Sequence, residues 1–371
     1  MGSIESETVP TRCTFMVPVY DGEPHSDPST RAYMAPPMPN RTEHITFPLF
    51  DVRSQVLKCE SGGDYSKDEQ FMASHGFTAV KHTSEIQDGS RFHDVEIMTE
   101  VYYREVQELV KQVTGCKEVI VNFSACRGGT APKTVADQKA LIPSNRENTE
   151  RDSIKMTESW HQPTLGQPIR LAHCDSTALG GRQSLRQWQQ DLTDAANRAD
   201  VIAREDEMGG RHGLSATTKE SREAFEEEYN DHVQAKLGPR YASFSIWRPI
   251  KTVTRDPLAL VPWSEATHHP EMVVEPYDNR NQGYNGDWTR ELAMLKIRPE
   301  CVEKTNTERL KFYYVSEMQP NEVLFVKMFD TEGLGTDARE EVGCLHGSPD
   351  LGEAGYGDAR ESVEVRCIAF W

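Results

Sequence analysis

The chain has 371 residues, a formal net charge of −18, and eight cysteines scattered from Cys13 to Cys367 with no Cys-x-x-Cys pair. Acidity without a Lys/Arg block weighs against nucleic acid or an anionic membrane as a partner, and the cysteine spacing weighs against a zinc ribbon or redox dithiol. No run of about 20 apolar residues offers a bilayer span, and unpaired thiols fit a reducing, cytoplasmic setting.

Residues 1–45 carry Pro24, Pro28, Pro36, Pro37 and Pro39 among polar residues. They read as an N-terminal arm lying over one domain of residues 46–371. Ile45 to Val56 predicts an early strand and Asp68 to Ser74 a helical turn. From Glu96 to Thr114, Ile97, Val101, Val106, Leu109, Val110 and Val113 recur at helical spacing, and Gly115 is placed to stop the helix. Glu118 to Phe123 reads as a strand, broken by Arg127-Gly128-Gly129. Residues 131–160 are polar and loop-like.

Ile169 to Asp175 predicts a strand. A helical insertion is expected over about 184–238, divided by Gly209, Gly210 and Gly213, with Glu226-Glu227-Glu228 as a solvated helix face. Strand signals then return at Tyr241 to Arg248, closed by Pro249, and at Leu258 to Val261. Residues 276–290 read as loop. Leu310 to Val315 and Val323 to Phe329 flank a turn at Gln319-Pro320-Asn321, and Cys344 to His346 and Ser362 to Phe370 finish the chain. Short strands with helices early and in one insertion predict a mainly β fold with helices, built on a barrel or sandwich core.

The chemistry starts at Ile169-Arg170-Leu171-Ala172-His173-Cys174-Asp175. On a strand His173 and Asp175 share one face and Cys174 takes the other. An imidazole and a carboxylate so placed are two-thirds of the 2-His-1-carboxylate set that holds non-haem Fe(II) with positions left open. Two other His-x-acid triplets occur, His25-Ser26-Asp27 and His269-Pro270-Glu271. The first lies in the arm, and the second has a proline at its centre that resists an in-sheet place. His346, on a later strand, qualifies as the second imidazole. At the chain end Arg360, Ser362, Glu364 and Arg366 fall on one face. An arginine fork with a hydroxyl beside it suits the far carboxylate of 2-oxoglutarate.

Taken together these pieces resemble the fungal hydroxylase/desaturase family of Fe(II)/2-oxoglutarate oxygenases that includes gibberellin desaturase and AsaB-like enzymes. The matching residues are Val101-Tyr102-Tyr103-Arg104-Glu105, Val121-Asn122-Phe123 with Arg127, Ala172-His173-Cys174-Asp175-Ser176, Ile246-Trp247-Arg248-Pro249 and Asp256-Pro257-Leu258-Ala259. Near the C-terminus they are Tyr313-Tyr314, Gln319 to Val323, Lys327-Met328-Phe329-Asp330, His346, and Arg360 to Arg366. The resemblance implies a double-stranded β-helix (jelly-roll) core with N-terminal helices and a helical insertion. It implies His173, Asp175 and His346 as iron ligands, Arg360 and Ser362 as the 2-oxoglutarate anchor, and Arg366 and Arg248 as contacts to co-substrate or substrate. The segment Gly347-Ser348-Pro349 departs from the family pattern by lacking an aromatic.

The expected activity is O2-dependent oxidation of an unactivated C–H bond of a small molecule in fungal secondary metabolism, an amino or carboxylic acid being one candidate. The outcome is hydroxylation, desaturation or ring closure, and a homo-oligomer is left open. Two alternatives stand beside it: a non-haem iron oxidase using O2 without 2-oxoglutarate, and a non-catalytic metabolite-binding relative.

Overall fold

The computed structural model describes residues 11–20, 41–128, 160–162, 166, 168–187, 189–208, 239–280, 289–303, 309–334 and 341–371. The Glu226 to Glu228 run, most of the expected loop at 131–160 and the His25 triplet lie outside them. Two sheets carry the fold. The larger runs β1(Thr11–Pro18), β2(Thr42–Asp51), β11(Phe312–Tyr314), β8(Ala259–Pro262), β13(Cys344–Gly347), β6(His173–Cys174), β10(Thr289–Ile297), β9(Met272–Arg280). The smaller runs β3(Phe77–Lys81), β12(Glu322–Asp330), β7(Tyr241–Pro249), β14(Ser362–Phe370), β4(Glu118–Arg127), β5(Trp160–Gln162). Most neighbours are antiparallel; β11 on β2 and β5 on β4 are parallel. The pair of sheets, the larger one curled, is a jelly-roll core.

Each sheet is buried on both faces, for different reasons. The outer face of the smaller sheet, with Ala242, Phe244, Ile246, Val363 and Val365, packs against Val106, Leu109, Val110 and Val113 of helix α2(Tyr103–Thr114). That stripe is the one the sequence spacing predicts, and Gly115 ends it in the left-handed region at φ 70°. Before it, Asp94 caps a short turn of helix and residues Met98–Tyr102 form a π turn, so the expected helix over 96–114 is interrupted. The larger sheet curls, laying Phe15 and Phe47 over Ala172, Cys174, Leu345 and Ala293. Phe15, Phe47 and Phe312 pack with ring centroids 4.5 to 6.2 Å apart. Thr11–Pro18, inside the segment read as an arm, is thus an edge strand whose every second residue closes a core.

Three further differences from the sequence reading have physical causes. Residues 272–280 and 289–297, read as loop from 276 to 290 and otherwise given no element, pair as β9 and β10 from Arg280↔Thr289 to Met272↔Ile297. Glu275 and Lys296 there look like solvent residues, but they ion-pair with each other and are buried. The two strands flanking Gln319-Pro320-Asn321 go to different sheets, so the turn is a crossing between layers. The helices α3(Ala178–Gln187), α4(Gln190–Arg198) and α5(Val201–Met208) begin before residue 184 and seat Leu185, Leu192 and Ala196 on Tyr241, Ile368 and Phe370. The rest of the insertion, 209–238, lies outside the described residues.

Candidate metal centre

The strand expected over Ile169 to Asp175 is only two residues long, but it is wedged between β13 and β10, with His173 opposite both His346 and Met294. Its parity is as expected. Cys174 points into the outer core while His173 and Asp175 face the space between the sheets. Gly347 makes the close approach possible: a Cβ there would stand 2.6 Å from the Leu171 carbonyl oxygen. The result is a buried cluster of His173, Asp175 and His346 whose donor atoms all lie within 4.8 Å of one another. The imidazole rings are 4.6 Å apart, centroid to centroid. His269 and Glu271 instead sit in a turn, where the Glu271 amide donates to His269 Nδ1.

The donor set fits a metal on its own chemistry. His173 Nδ1 lies 2.9 Å from the Leu171 carbonyl oxygen, which fixes the ring and turns Nε2 toward Asp175 and His346. Burial, reinforced by His346, pushes the His173 imidazole down to about 4, so the ring is neutral at neutral pH, the form that a metal takes. Burial by itself would raise the Asp175 carboxyl; Arg366, a hydrogen bond from His346 and the two imidazoles hold it well below the usual carboxylate range.

The opposite wall is the inner face of the smaller sheet. Ser245 and Trp247 of β7, Glu364 and Arg366 of β14, Arg360 just before β14, and Arg127 at the end of β4 line one cavity with the three ligand candidates. A bulge in β4 is what aims Arg127 inward. Arg366 faces Phe123 while Cys367 faces Val121, so Asn122 is the extra residue and the parity of the strand reverses there. Gly128 follows at φ 114°, and a Cβ on it would meet the Arg360 carbonyl oxygen at 2.2 Å. The Arg127-Gly128 pair thus serves to bring one guanidinium beside another.

Arg360 is buried and donates from Nη1 to the Asp256 carbonyl oxygen at 2.9 Å, with Ser348 Oγ at 3.4 Å. Its guanidinium lies 5.3 Å from the Trp247 ring, and its Nε has no hydrogen-bond partner among the described residues. Burial, then the Arg127 charge, pulls it down to about 9. A buried guanidinium facing a cavity next to a like charge has the chemistry to receive an anion. Glu364 bridges Arg366 at 3.0 Å and Arg127 at 3.7 Å. Burial opposes its ionisation, and those two arginines hold it ionised.

Two sequence expectations fare differently. Ser362 is buried on the same face of β14 but is not among the residues lining the cavity. Arg248 is a correction. It has the parity of Phe244 and Ile246, so it lies on the outer face under the helices, where it donates to Tyr102 Oη, to the carbonyl oxygens of His82 and Pro320, and to His82 Nδ1. It does not reach the cavity. Arg127, Glu364, Ser348 and Trp247 were given no role by the sequence. The face of β14 that groups Glu364 with Arg360 was a usable signal; the bulge that aims Arg127 was not.

A family model described as YDMC: Oxidoreductase/YMDC permease-like domain matches residues 63–203 and 213–370. The chain is 29% identical to "Oxidoreductase chry3" of Gibberella zeae over 93% of this chain and 94% of that one. It is 29% identical to "Gibberellin cluster GA4 desaturase" of Gibberella fujikuroi over 80% and 82%. Among solved structures, the iron and alpha-ketoglutarate-dependent endoperoxidase NvfI superimposes with a TM-score of 0.55 at 18% identity, covering 99% of both chains.

Proposed function

The chain belongs to the family described as YDMC: Oxidoreductase/YMDC permease-like domain, and we propose that it is an Fe(II)/2-oxoglutarate-dependent oxygenase of fungal secondary metabolism acting on a small molecule. The observation that carries this reading is the buried His173, Asp175 and His346 cluster facing an arginine-lined cavity. Relatives named as desaturase and as iron and alpha-ketoglutarate-dependent endoperoxidase support it. Among the described residues no helix is long and apolar enough to cross a membrane. All eight cysteines are unpaired, which suits the cytoplasm.

His173, Asp175 and His346 would hold the iron, and Arg360 would take the far carboxylate of 2-oxoglutarate, with the Ser362 hydroxyl on the same strand face. Iron and 2-oxoglutarate supply, with O2, the oxidising power to break an unactivated C–H bond, by hydroxylation, desaturation or ring closure. The chain's own residues do the rest. Leu171 holds the His173 ring; Trp247, Leu258 and the 36% exposed Ile169 supply the apolar part of a cavity wall that is otherwise polar and charged. Arg360 is pre-positioned by Asp256, whose carboxylate is in turn held by Arg170 and Arg255, so little ordering is needed when a carboxylate arrives.

The test is an anaerobic titration of Fe(II) and 2-oxoglutarate into the apo protein, followed by the weak visible charge-transfer band of the chelate. The band should appear and be lost in His173→Ala. Iron binding without the band would remove the co-substrate assignment to Arg360; no iron binding would remove the reading altogether.

A further inference from the structure

Arg366 is engaged with a metal-ligand candidate, not with open space. Its Nη2 lies 2.7 Å from Asp175 Oδ2 and 3.0 Å from Glu364 Oε1, and all three side chains are nearly inaccessible to solvent. The guanidinium stacks over Phe123 with its carbon 5.0 Å from the ring centroid. Strand register builds this arrangement. Glu364 and Arg366 are two apart on the inner face of β14, and Ala125 and Ser245 beside them are small enough to leave room.

We propose that Glu364 and Arg366 are positioning residues for Asp175. Arg366 holds one carboxylate oxygen and leaves the other to the metal. Glu364 offsets the Arg366 charge, so that the cradle keeps its attraction for a dication. The proposal rests on the reading of His173, Asp175 and His346 as the iron ligands.

Charge counting separates the two roles. Asp175 and Glu364 bring two carboxylates to a cavity that Arg366, Arg127 and Arg360 also line, so each change of one charge tells on a bound cation. Without the Glu364 charge the cavity is one unit more positive, and Arg366 repels an incoming cation with no carboxylate to offset it. Without Arg366 the cavity is one unit more negative, so cation binding does not weaken. The Asp175 carboxylate is then free to ligate through both oxygens and to occupy a position that a chelating co-substrate needs. A merely structural ion pair gives no such opposition: removing either partner of a buried pair destabilises the fold, and metal binding suffers with it. Groups that orient a metal ligand from outside are typically worth about 10–100-fold in affinity.

The experiment uses the full-length protein with Glu364→Gln, Arg366→Gln and Arg366→Lys. Mn(II) affinity is read by calorimetry. Chelate affinity is read on the Fe(II) protein without O2, from the charge-transfer band, with 2-oxoglutarate and with pyruvate, which has the keto acid end but no far carboxylate. Glu364→Gln should weaken Mn(II) by about 10-fold or more. Arg366→Gln should leave Mn(II) binding as tight or tighter, weaken 2-oxoglutarate and pyruvate by the same factor, and be partly rescued by Arg366→Lys. Mn(II) weakened alike by both glutamine variants would overturn the proposal. So would a loss confined to 2-oxoglutarate, which would place Arg366 on the far carboxylate. If the unaltered protein binds Mn(II) no better than His173→Ala does, the metal reading itself fails, an outcome distinct from either.

Discussion

Arg248, in β7, and Arg360, just before the neighbouring β14, stand on opposite sides of the smaller sheet and differ in what surrounds them. Arg248 lies on the outer face, under the helices, and its donors are spent on Tyr102, His82 and Pro320. Arg360 lies on the inner side, with no hydrogen-bond partner for Nε among the described residues, beside a second guanidinium and facing the His173, Asp175 and His346 cluster. Both are buried arginines in stretches where the sequence resembles the same family. The difference teaches that a guanidinium becomes a binding group when its surroundings leave it short of acceptors, and a structural one when carbonyls and hydroxyls already surround it.

Substitution should separate the two sharply. Arg248→Met removes the donors to Tyr102 Oη and to two carbonyl oxygens, leaving buried acceptors unsatisfied at about 1–3 kcal/mol each. We expect a net loss of about 3 kcal/mol in urea unfolding, while the folded fraction still binds 2-oxoglutarate like the parent protein. Arg360→Met should do the reverse. It removes a charge-assisted contact of about 1.5–3 kcal/mol, a loss of about 10- to 100-fold in 2-oxoglutarate affinity. The unfolding midpoint should move little. If Arg248→Met lowers co-substrate affinity while Arg360→Met only destabilises, the assignment of faces is inverted.

Part of this contrast was legible beforehand and part was not. The His173 and Asp175 parity, the distal His346 and the polar face of β14 follow from alternation along strands, which a sequence displays directly. Arg248 also carried a signal. It shares parity with Phe244 and Ile246, the bulky residues that meet helix α2, and so could have been grouped with them. What alternation does not display is where it breaks. The bulge at Asn122 turns Phe123, Ala125 and Arg127 inward, and it is set by pairing with a strand more than two hundred residues away. β9 and β10 were hidden for a related reason. Pro276 and the Glu275–Lys296 pair look like loop chemistry until the partner strand supplies the opposite charge.

The smallest expected effect sharpens the outer-face half of the contrast. His82 accepts from Arg248 at 2.5 Å, and burial, then the Arg248 charge, pushes its imidazole from 6.5 down to about 4. The folded protein therefore keeps His82 neutral where the unfolded chain takes up a proton. The stability tied to this is complete above about pH 6.5 and declines as pH falls from there toward 4, because only the unfolded state gains the proton in that window. His82→Gln retains a hydrogen-bonding side chain beside Arg248 and removes the titration. Its stability should fall less between pH 6.5 and 4 than that of the parent, by about 1–2 kcal/mol once partial solvent access is allowed for. Equal slopes for the two proteins would mean that the His82 ring takes its proton in the folded state as easily as in the unfolded one. Arg248 would then have to point elsewhere, and the outer-face network would lose its central contact.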